Sequence, residues 1–185
     1  TAESQIHREL ASGLSCPIGF KNGTTGDLNP AIFGMKASNH SHVFFSNTKE
    51  GMVSIYKTSG NSDTHIILRG GIKPNLYPDD IRETIDALNE AKANESIMID
   101  VSHGNSQKIF KRQLENIGVV SKQISDGMNE IRGVMIESHL QEGNQKIGED
   151  LKYGQSVTDA CIHFEDTKQC LSELSSAVQA RRSKN

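Results

Sequence analysis

Along the chain, short apolar runs of strand length alternate with longer stretches whose apolar residues recur every three or four positions. The short runs are 16–20 (Cys-Pro-Ile-Gly-Phe), 65–68 (His-Ile-Ile-Leu), 97–101 (Ile-Met-Ile-Asp-Val) and 133–136 (Gly-Val-Met-Ile). Turn-forming residues flank them, so each is predicted as a buried strand. A first helix is predicted over 2–12, with Thr1 as N-cap, Ile6 and Leu10 on one face and Gly13 as the stop. A second runs over about 29–36, its length left open by Pro30 and Gly34. A third starts at Pro78, with Asp79 and Asp80 beside its N-terminus and Ile81, Ile85 and Leu88 at helical spacing. The fourth, about 107–125, carries Phe110, Leu114, Ile117, Val120 and Ile124 as one stripe for packing on a sheet. The last opens at Thr158-Asp159-Ala160, with its clearest stripe at Cys170, Leu171, Leu174, Ala177 and Val178. One departure breaks the alternation: 43–46 and 52–57 read as two strands joined by Asn47-Thr48-Lys49-Glu50-Gly51, a hairpin over about 43–57.

Every core strand hands over to a polar residue: Lys21, Arg69, His103 and Glu137. Alone, the Ile97 to Ser106 stretch reads equally well as an ordinary strand end followed by a turn. The repetition at the other three strands gives it meaning, because parallel βα units bring all their strand ends to one functional face, in a barrel or in a doubly wound sheet. No strand is followed by Gly-x-Gly-x-x-Gly, and no phosphate-cradling Gly-Lys-Ser or Gly-Lys-Thr is present, so the barrel is favoured. The polar stretch 141–155, with Gly143, Gly148 and Gly154, shows no periodicity, and loops of that length are more often functional than idle.

Composition narrows the class. With 185 residues the chain is expected to form one domain with a core of its own. Twenty basic against twenty-three acidic residues, a net charge of -3, argue against nucleic acid or an anionic membrane as the main partner. Arg181, Arg182 and Lys184 at the tail suit a helix end. Three cysteines, Cys16, Cys161 and Cys170, show no metal-finger spacing and read as small hydrophobes in a reducing, cytoplasmic setting. The start, Thr-Ala-Glu-Ser-Gln, does not read as a signal peptide, and a first residue other than Met means a processed chain or a piece of a longer one.

The strand ends bring together two cations, an imidazole and a carboxylate, with Asp159 close behind. Lys21 and Arg69 suit a phosphate or a carboxylate, since arginine can grip two oxygens at once. His103, Glu137 and Asp159 suit a divalent metal, and imidazole with carboxylates favours manganese, iron, cobalt or zinc over magnesium or calcium. His139 is left out as a ligand. A metal beside an anion-binding pair points to Lewis-acid activation of a carbonyl in a phosphorylated substrate.

These residues lie in longer motifs: 4–23 (Ser-Gln-Ile-His-Arg-Glu-Leu-Ala-Ser-Gly-Leu-Ser-Cys-Pro-Ile-Gly-Phe-Lys-Asn-Gly), 65–71 (His-Ile-Ile-Leu-Arg-Gly-Gly), 102–106 (Ser-His-Gly-Asn-Ser), 137–145 (Glu-Ser-His-Leu-Gln-Glu-Gly-Asn-Gln) and 158–161 (Thr-Asp-Ala-Cys). In this order they resemble the type I, aromatic-amino-acid-regulated 3-deoxy-D-arabino-heptulosonate-7-phosphate (DAHP) synthases, from the first residue to the last. The resemblance implies a metal-dependent transferase that condenses phosphoenolpyruvate with erythrose 4-phosphate at the first step of the shikimate pathway, in the cytoplasm. It implies that Lys21 and Arg69 bind phosphoenolpyruvate, that His103, Glu137 and Asp159 are three of four metal ligands, manganese first among the metals, and that Lys21 joins those three as catalytic. It further implies a homo-oligomer, dimer or tetramer, and a pocket for an inhibitory aromatic amino acid near Ser15, Phe44, Ser46 and the hairpin. Ser46 resembles the phenylalanine- and tryptophan-sensitive members.

By the same resemblance, the chain begins just after the family's fourth barrel strand. The expected fold is therefore α/β, the C-terminal (βα)4 half of a TIM (β/α)8 barrel with an inserted β-hairpin. The cysteine metal ligand, a Lys-Pro-Arg loop and a further phosphate-binding arginine belong to the other half. A half barrel leaves sheet edges and an apolar inner face uncovered, so by itself the chain is expected to self-associate or be poorly stable, and to have little or no synthase activity. The alternative reading is a non-catalytic half-barrel serving as a ligand-binding or assembly module. A sugar-acid synthase acting on arabinose 5-phosphate is disfavoured by the hairpin and the Glu-Gly-Asn-Gln loop.

Overall fold

The computed structural model describes residues 2–184; the N-cap expected at Thr1 lies outside them. In chain order the elements are α1 (Gln5–Gly13), β1 (Ile18–Lys21), α2 (Asn29–Ser38), β2 (Val43–Asn47), β3 (Val53–Lys57), β4 (Thr64–Leu68), α3 (Pro78–Glu90), β5 (Ile97–Asp100), α4 (Arg112–Asp126), β6 (Ile131–Met135), β7 (Ser138–His139), β8 (Ile162–His163) and α5 (Phe164–Arg182). The main sheet is parallel throughout, in the order β1-β4-β5-β6. A parallel sheet with a crossover helix between successive strands places all strand C-termini on one edge. That topology, and no local motif, brings Lys21, Arg69, His103 and Glu137 together. β2 and β3 form a separate antiparallel hairpin with Phe45 opposite Ile55; both of those, with Val43 and Val53, stand exposed on one of its faces.

The two faces of the main sheet differ. Phe20, Ile66, Leu68, Ile97, Ile99 and Ile131 enter a core shared with Ile32, Met35, Ile81, Leu88, Ile117 and Val120. On the other face lie Gly19, His65 and Ile67, where a Cβ on Gly19 would run into both neighbours, and Gly133, where a Cβ would come within 2.9 Å of Met98. Small residues let the larger ones fill this face in alternation.

Local chemistry explains most boundaries. Pro78 occupies the first turn of α3, and the Asp80 carboxylate accepts the Tyr77 N–H at 2.9 Å, satisfying a donor the helix leaves free. Gly127, at φ 114°, ends α4 in the left-handed region that favours glycine. Three boundaries depart from expectation. α4 starts at Arg112 instead of near 107, because Gln107 and Lys108 have φ of 51° and 60°, which no right-handed helix contains. α5 starts at Phe164 instead of Thr158: the chain first runs extended to pair β8 with β7, and the His163 ring accepts the Glu165 N–H at 3.1 Å as the cap. α1 begins only at Gln5, and its predicted stripe faces outward, with Ile6 and Leu10 exposed while Ala11 and Ser12 are buried.

The tail cations do terminate backbone elsewhere. Arg181 donates to the carbonyls of Met128 and Ile131, and Lys184 to that of Ser125 in the last turn of α4. Of the three cysteines, Cys161 and Cys170 are buried and Cys16 is exposed. Among the described residues no helix is long and apolar enough to cross a membrane. Truncating Ile99, fully buried in β5, to alanine removes its packing in the core shared with the helices. The loss of unfolding free energy in urea should be about 2–5 kcal/mol.

Candidate metal and anion site

The loops that follow the strands are built from amides. Asn22 donates to the Gly70 carbonyl and accepts the Arg69 N–H at 2.8 Å, joining the ends of β1 and β4. Asn75 accepts the Gly70 N–H at 2.7 Å and donates to Asn22. Asn105 donates to the carbonyls of Leu68 and Asp100, joining β4 to β5, and accepts the Asn75 N–H. Asn116, from α4, donates to the carbonyls of Val101 and Asn105. Asn22, Asn105 and Asn116 are buried, so these bonds form away from water, where an unpaired polar group would be costly. The loops also meet backbone to backbone. A Cβ on Gly104 would come within 2.8 Å of Gly70 C, so only glycine allows this approach.

Within this frame His103 takes φ 46°, a conformation β-carbon-bearing residues rarely adopt. It aims the imidazole across the strand ends. Nε2 lies 3.4 Å from Glu137 Oε1 and 3.6 Å from Asp159 Oδ2. One ligand atom from each of the three residues lies within 4.8 Å of the others, and among the described residues this is the one group of its kind. Ligands about 2.1 Å from a tetrahedral ion stand roughly 3.4 Å apart. The donor set therefore fits a divalent cation, and mixed nitrogen and oxygen donors match the transition metals expected from the sequence. His139 is not in the group; its Nδ1 accepts the neighbouring Leu140 N–H.

Two residues that hydrophobic patterning overlooked hold Glu137. Ser102 Oγ donates to Glu137 Oε2 at 2.6 Å, leaving Oε1 turned toward His103. Gln113, fully buried in α4, accepts the Glu137 N–H at 2.8 Å and donates to its carbonyl at 3.2 Å. The packing face of α4 thus carries amides beside Ile117, Val120 and Ile124, while the predicted Leu114 is exposed and Phe110 precedes the helix. Asp159 arrives on the 141–161 segment, which is folded by its own side chains: Gln145 bonds the backbone of Lys152 and Gln155, and Gly143 pairs with Cys161. Burial first, and then the negative charge of Glu137, raise the pKa of the neighbouring Cys161 thiol, which keeps it protonated.

A third overlooked residue is Asp100, which sat inside a strand pattern as one polar letter among apolar ones. Its carboxylate is fully buried. Oδ2 accepts from Lys21 Nζ at 2.7 Å, and His103 Nδ1 lies 2.8 Å from the same oxygen, off the line of a straight hydrogen bond. Oδ1 accepts the Ser102 N–H at 3.0 Å. Beyond Lys21, the Arg69 side chain lines the same cavity of about 680 Å³, together with Asn22, Gly23 and Thr24. Lys21 spends one donor on Asp100, and no hydrogen bond or ion pair of the Arg69 guanidinium is found among the described residues. Glu3 and His7 line the cavity as well, and Lys21 and Arg69 give it a cationic side that could receive an anion.

A second cavity, of about 470 Å³, lies between α1 and the hairpin. Phe44, Ser46, Tyr56, Leu10 and Leu14 line it, and the Phe44 and Tyr56 rings stack with centroids 6.3 Å apart. Ser15 follows Leu14 in sequence and is exposed.

Fold and site together define a parallel α/β protein with a candidate metal-and-anion site at the carboxyl ends of its strands. The chain belongs to the DAHP synthetase I family, whose model matches residues 1–172. It is 53% identical over 184 residues to the Phe-sensitive phospho-2-dehydro-3-deoxyheptonate aldolase of Escherichia coli K12, covering 98% of this chain and 53% of that protein. It is 51% identical over 183 residues to the Trp-sensitive aldolase of Salmonella typhimurium, with the same coverage of 98% and 53%. The solved phospho-2-dehydro-3-deoxyheptonate aldolase of Francisella tularensis SCHU S4 superposes with a TM-score of 0.93 at 49% identity, over 98% of this chain and 53% of that one. The chain thus spans about half the length of these relatives.

Replacing Gln113 with leucine keeps its bulk but strips both partners from the Glu137 backbone. The unfolding free energy should fall by about 1–3 kcal/mol in a denaturant titration.

Proposed function

We propose that this chain supplies the metal and phosphoenolpyruvate sites of an enzyme that condenses phosphoenolpyruvate with erythrose 4-phosphate to DAHP and phosphate. One observation carries the proposal: the His103, Glu137 and Asp159 group and the cavity lined by Lys21 and Arg69 meet through Asp100, 2.7 Å from Lys21 and 2.8 Å from His103, in a chain of the DAHP synthetase I family. Lys21 and Arg69 bind the phosphate and carboxylate of phosphoenolpyruvate and fix its enol carbon for attack on the aldehyde carbon. One carbon–carbon bond forms, water is taken up and phosphate leaves. His103, Glu137 and Asp159 hold the divalent metal, manganese first and iron, cobalt or zinc as alternatives. When bound, it supplies Lewis-acid polarisation of the aldehyde oxygen. The cations also balance the charge of the released phosphate.

In this reading, residues 1–185 form a single domain, the C-terminal (βα)4 half of a TIM barrel with the β2–β3 hairpin inserted, and activity resides in the complete barrel. The four parallel strands with one shared site edge support it, as does the match to about half of each relative. The cavity between α1 and the hairpin takes the inhibitory aromatic amino acid, its ring against Phe44 and Tyr56 and its polar end toward Ser46, with Ser15 near the rim. A homo-oligomer and a cytoplasmic, reducing location go with the same reading.

The test is phosphate release from both substrates with manganese, with and without the N-terminal half. Activity should appear only with that half present, and His103→Ala or Glu137→Ala should abolish it. No turnover by a correctly assembled complex would leave the non-catalytic binding or assembly module as the better description.

A further inference from the structure

We infer that Asp100 is a positioning residue that holds the anion-binding Lys21 and the metal-binding His103 in one geometry, so that the two halves of the site are built together. The inference rests on the metal and anion site proposed above and adds to it a residue that touches neither metal nor substrate. A fully buried carboxylate is expensive to keep charged unless each oxygen has partners. Asp100 has them on every side. Lys21 Nζ donates to Oδ2 at 2.7 Å and the Ser102 N–H to Oδ1 at 3.0 Å, His103 Nδ1 is packed 2.8 Å from Oδ2 without hydrogen-bond alignment, and Asn105 donates to the backbone carbonyl.

These contacts have two consequences for ligands. The first concerns the imidazole. With Nδ1 set 2.8 Å from the Asp100 carboxylate, the ring turns Nε2 toward Glu137 and Asp159, where a cation would sit. A carboxylate behind a metal-binding histidine fixes the tautomer, limits ring rotation and makes the ligand more basic. The second concerns the ammonium. Lys21 comes from β1 and Asp100 from β5, with β4 between them. The pair therefore crosses the sheet edge and holds Nζ at the mouth of the cavity that Arg69 lines. Ser102, adjacent to the strand end, sends its N–H to Asp100 and its hydroxyl to Glu137. The same few residues thus lock the cation, the imidazole and one carboxylate ligand.

The experiment compares the parent with Asp100→Asn, each combined with the N-terminal half, by calorimetric titration with Mn(II) and, separately, with phosphoenolpyruvate. Circular dichroism checks that the variant is folded. Asparagine keeps the shape and removes the charge. Mn(II) affinity should fall by about 10–100-fold, and phosphoenolpyruvate affinity should fall with it, whereas a purely structural role would lower thermal stability and leave both affinities of the folded protein unchanged. A fall in Mn(II) affinity of less than about tenfold, or unchanged phosphoenolpyruvate affinity, overturns the inference. Should Asp100→Asn not fold, the double variant Lys21→Met/Asp100→Asn removes both members of the buried pair and the Mn(II) titration is repeated on it, with the same threshold. A parent that binds no Mn(II) overturns the metal-site reading, and this inference with it; a parent that binds while the variant binds equally well overturns the inference alone.

Discussion

A carboxylate with no exposure to solvent must be neutralised by what surrounds it, and Asp100 imposes that requirement on the whole edge of the sheet. Leaving such a charge without a partner costs about 3–5 kcal/mol, a large share of the stability of any domain. The requirement is met by residues from different places, Lys21 at the end of β1 and the Ser102 N–H in the loop after β5, with the His103 ring packed against the same carboxylate. Satisfying one buried charge therefore fixes the end of β1 and the loop after β5 relative to one another. The lysine has a third of its side chain exposed, so one end of the pair faces solvent and any anionic ligand while the other stays dry.

Around that centre, amides do what hydrophobic contact cannot. Apolar packing is indifferent to a small rotation of a side chain, whereas Asn22, Asn105, Asn116 and Gln113 each bind named backbone groups in a fixed direction. They tie β1 to β4, β4 to β5, and α4 to the loops at the sheet edge. The glycines at 70 and 104 let those loops touch. His103 stands in a left-handed conformation at φ 46°, and strain of this kind clusters at functional sites. The donor group at His103, Glu137 and Asp159 is thus supported from behind on the histidine and on Glu137. Asp159, two-thirds exposed, is the least restrained of the three.

Much of this was legible in the residues. Strand length and turn punctuation located all four parallel strands to within two residues at each end, and the hairpin as well. The recurrence of a polar residue after each strand placed Lys21, Arg69, His103 and Glu137 on one edge. The failures share a cause. Asp100 passed as one letter of the run 97–101, and Gln113 and Asn116 fall outside the apolar stripe predicted for the fourth helix, because periodicity scores a residue by its hydrophobicity and cannot see a buried partner. α1 misled in the opposite direction: its Ile6 and Leu10 are apolar at helical spacing and yet exposed. α5 began late because pairing of β7 with β8, a contact across more than twenty residues of chain, outweighed the local preference of 158–163 for helix.

The sequence by itself determined the alternation of strand and helix, the side chains available for chemistry and, through its motifs, the family. These depend on local spacing and residue type, which the chain carries wherever it goes. Tertiary structure alone decided which polar residues are inside, which nitrogen of His103 faces the carboxylate pair and which faces Asp100, and which Glu137 oxygen is left free. Those outcomes depend on directions and distances between residues far apart in the chain, and a buried charge or amide acquires its meaning only from the partner the fold sets against it.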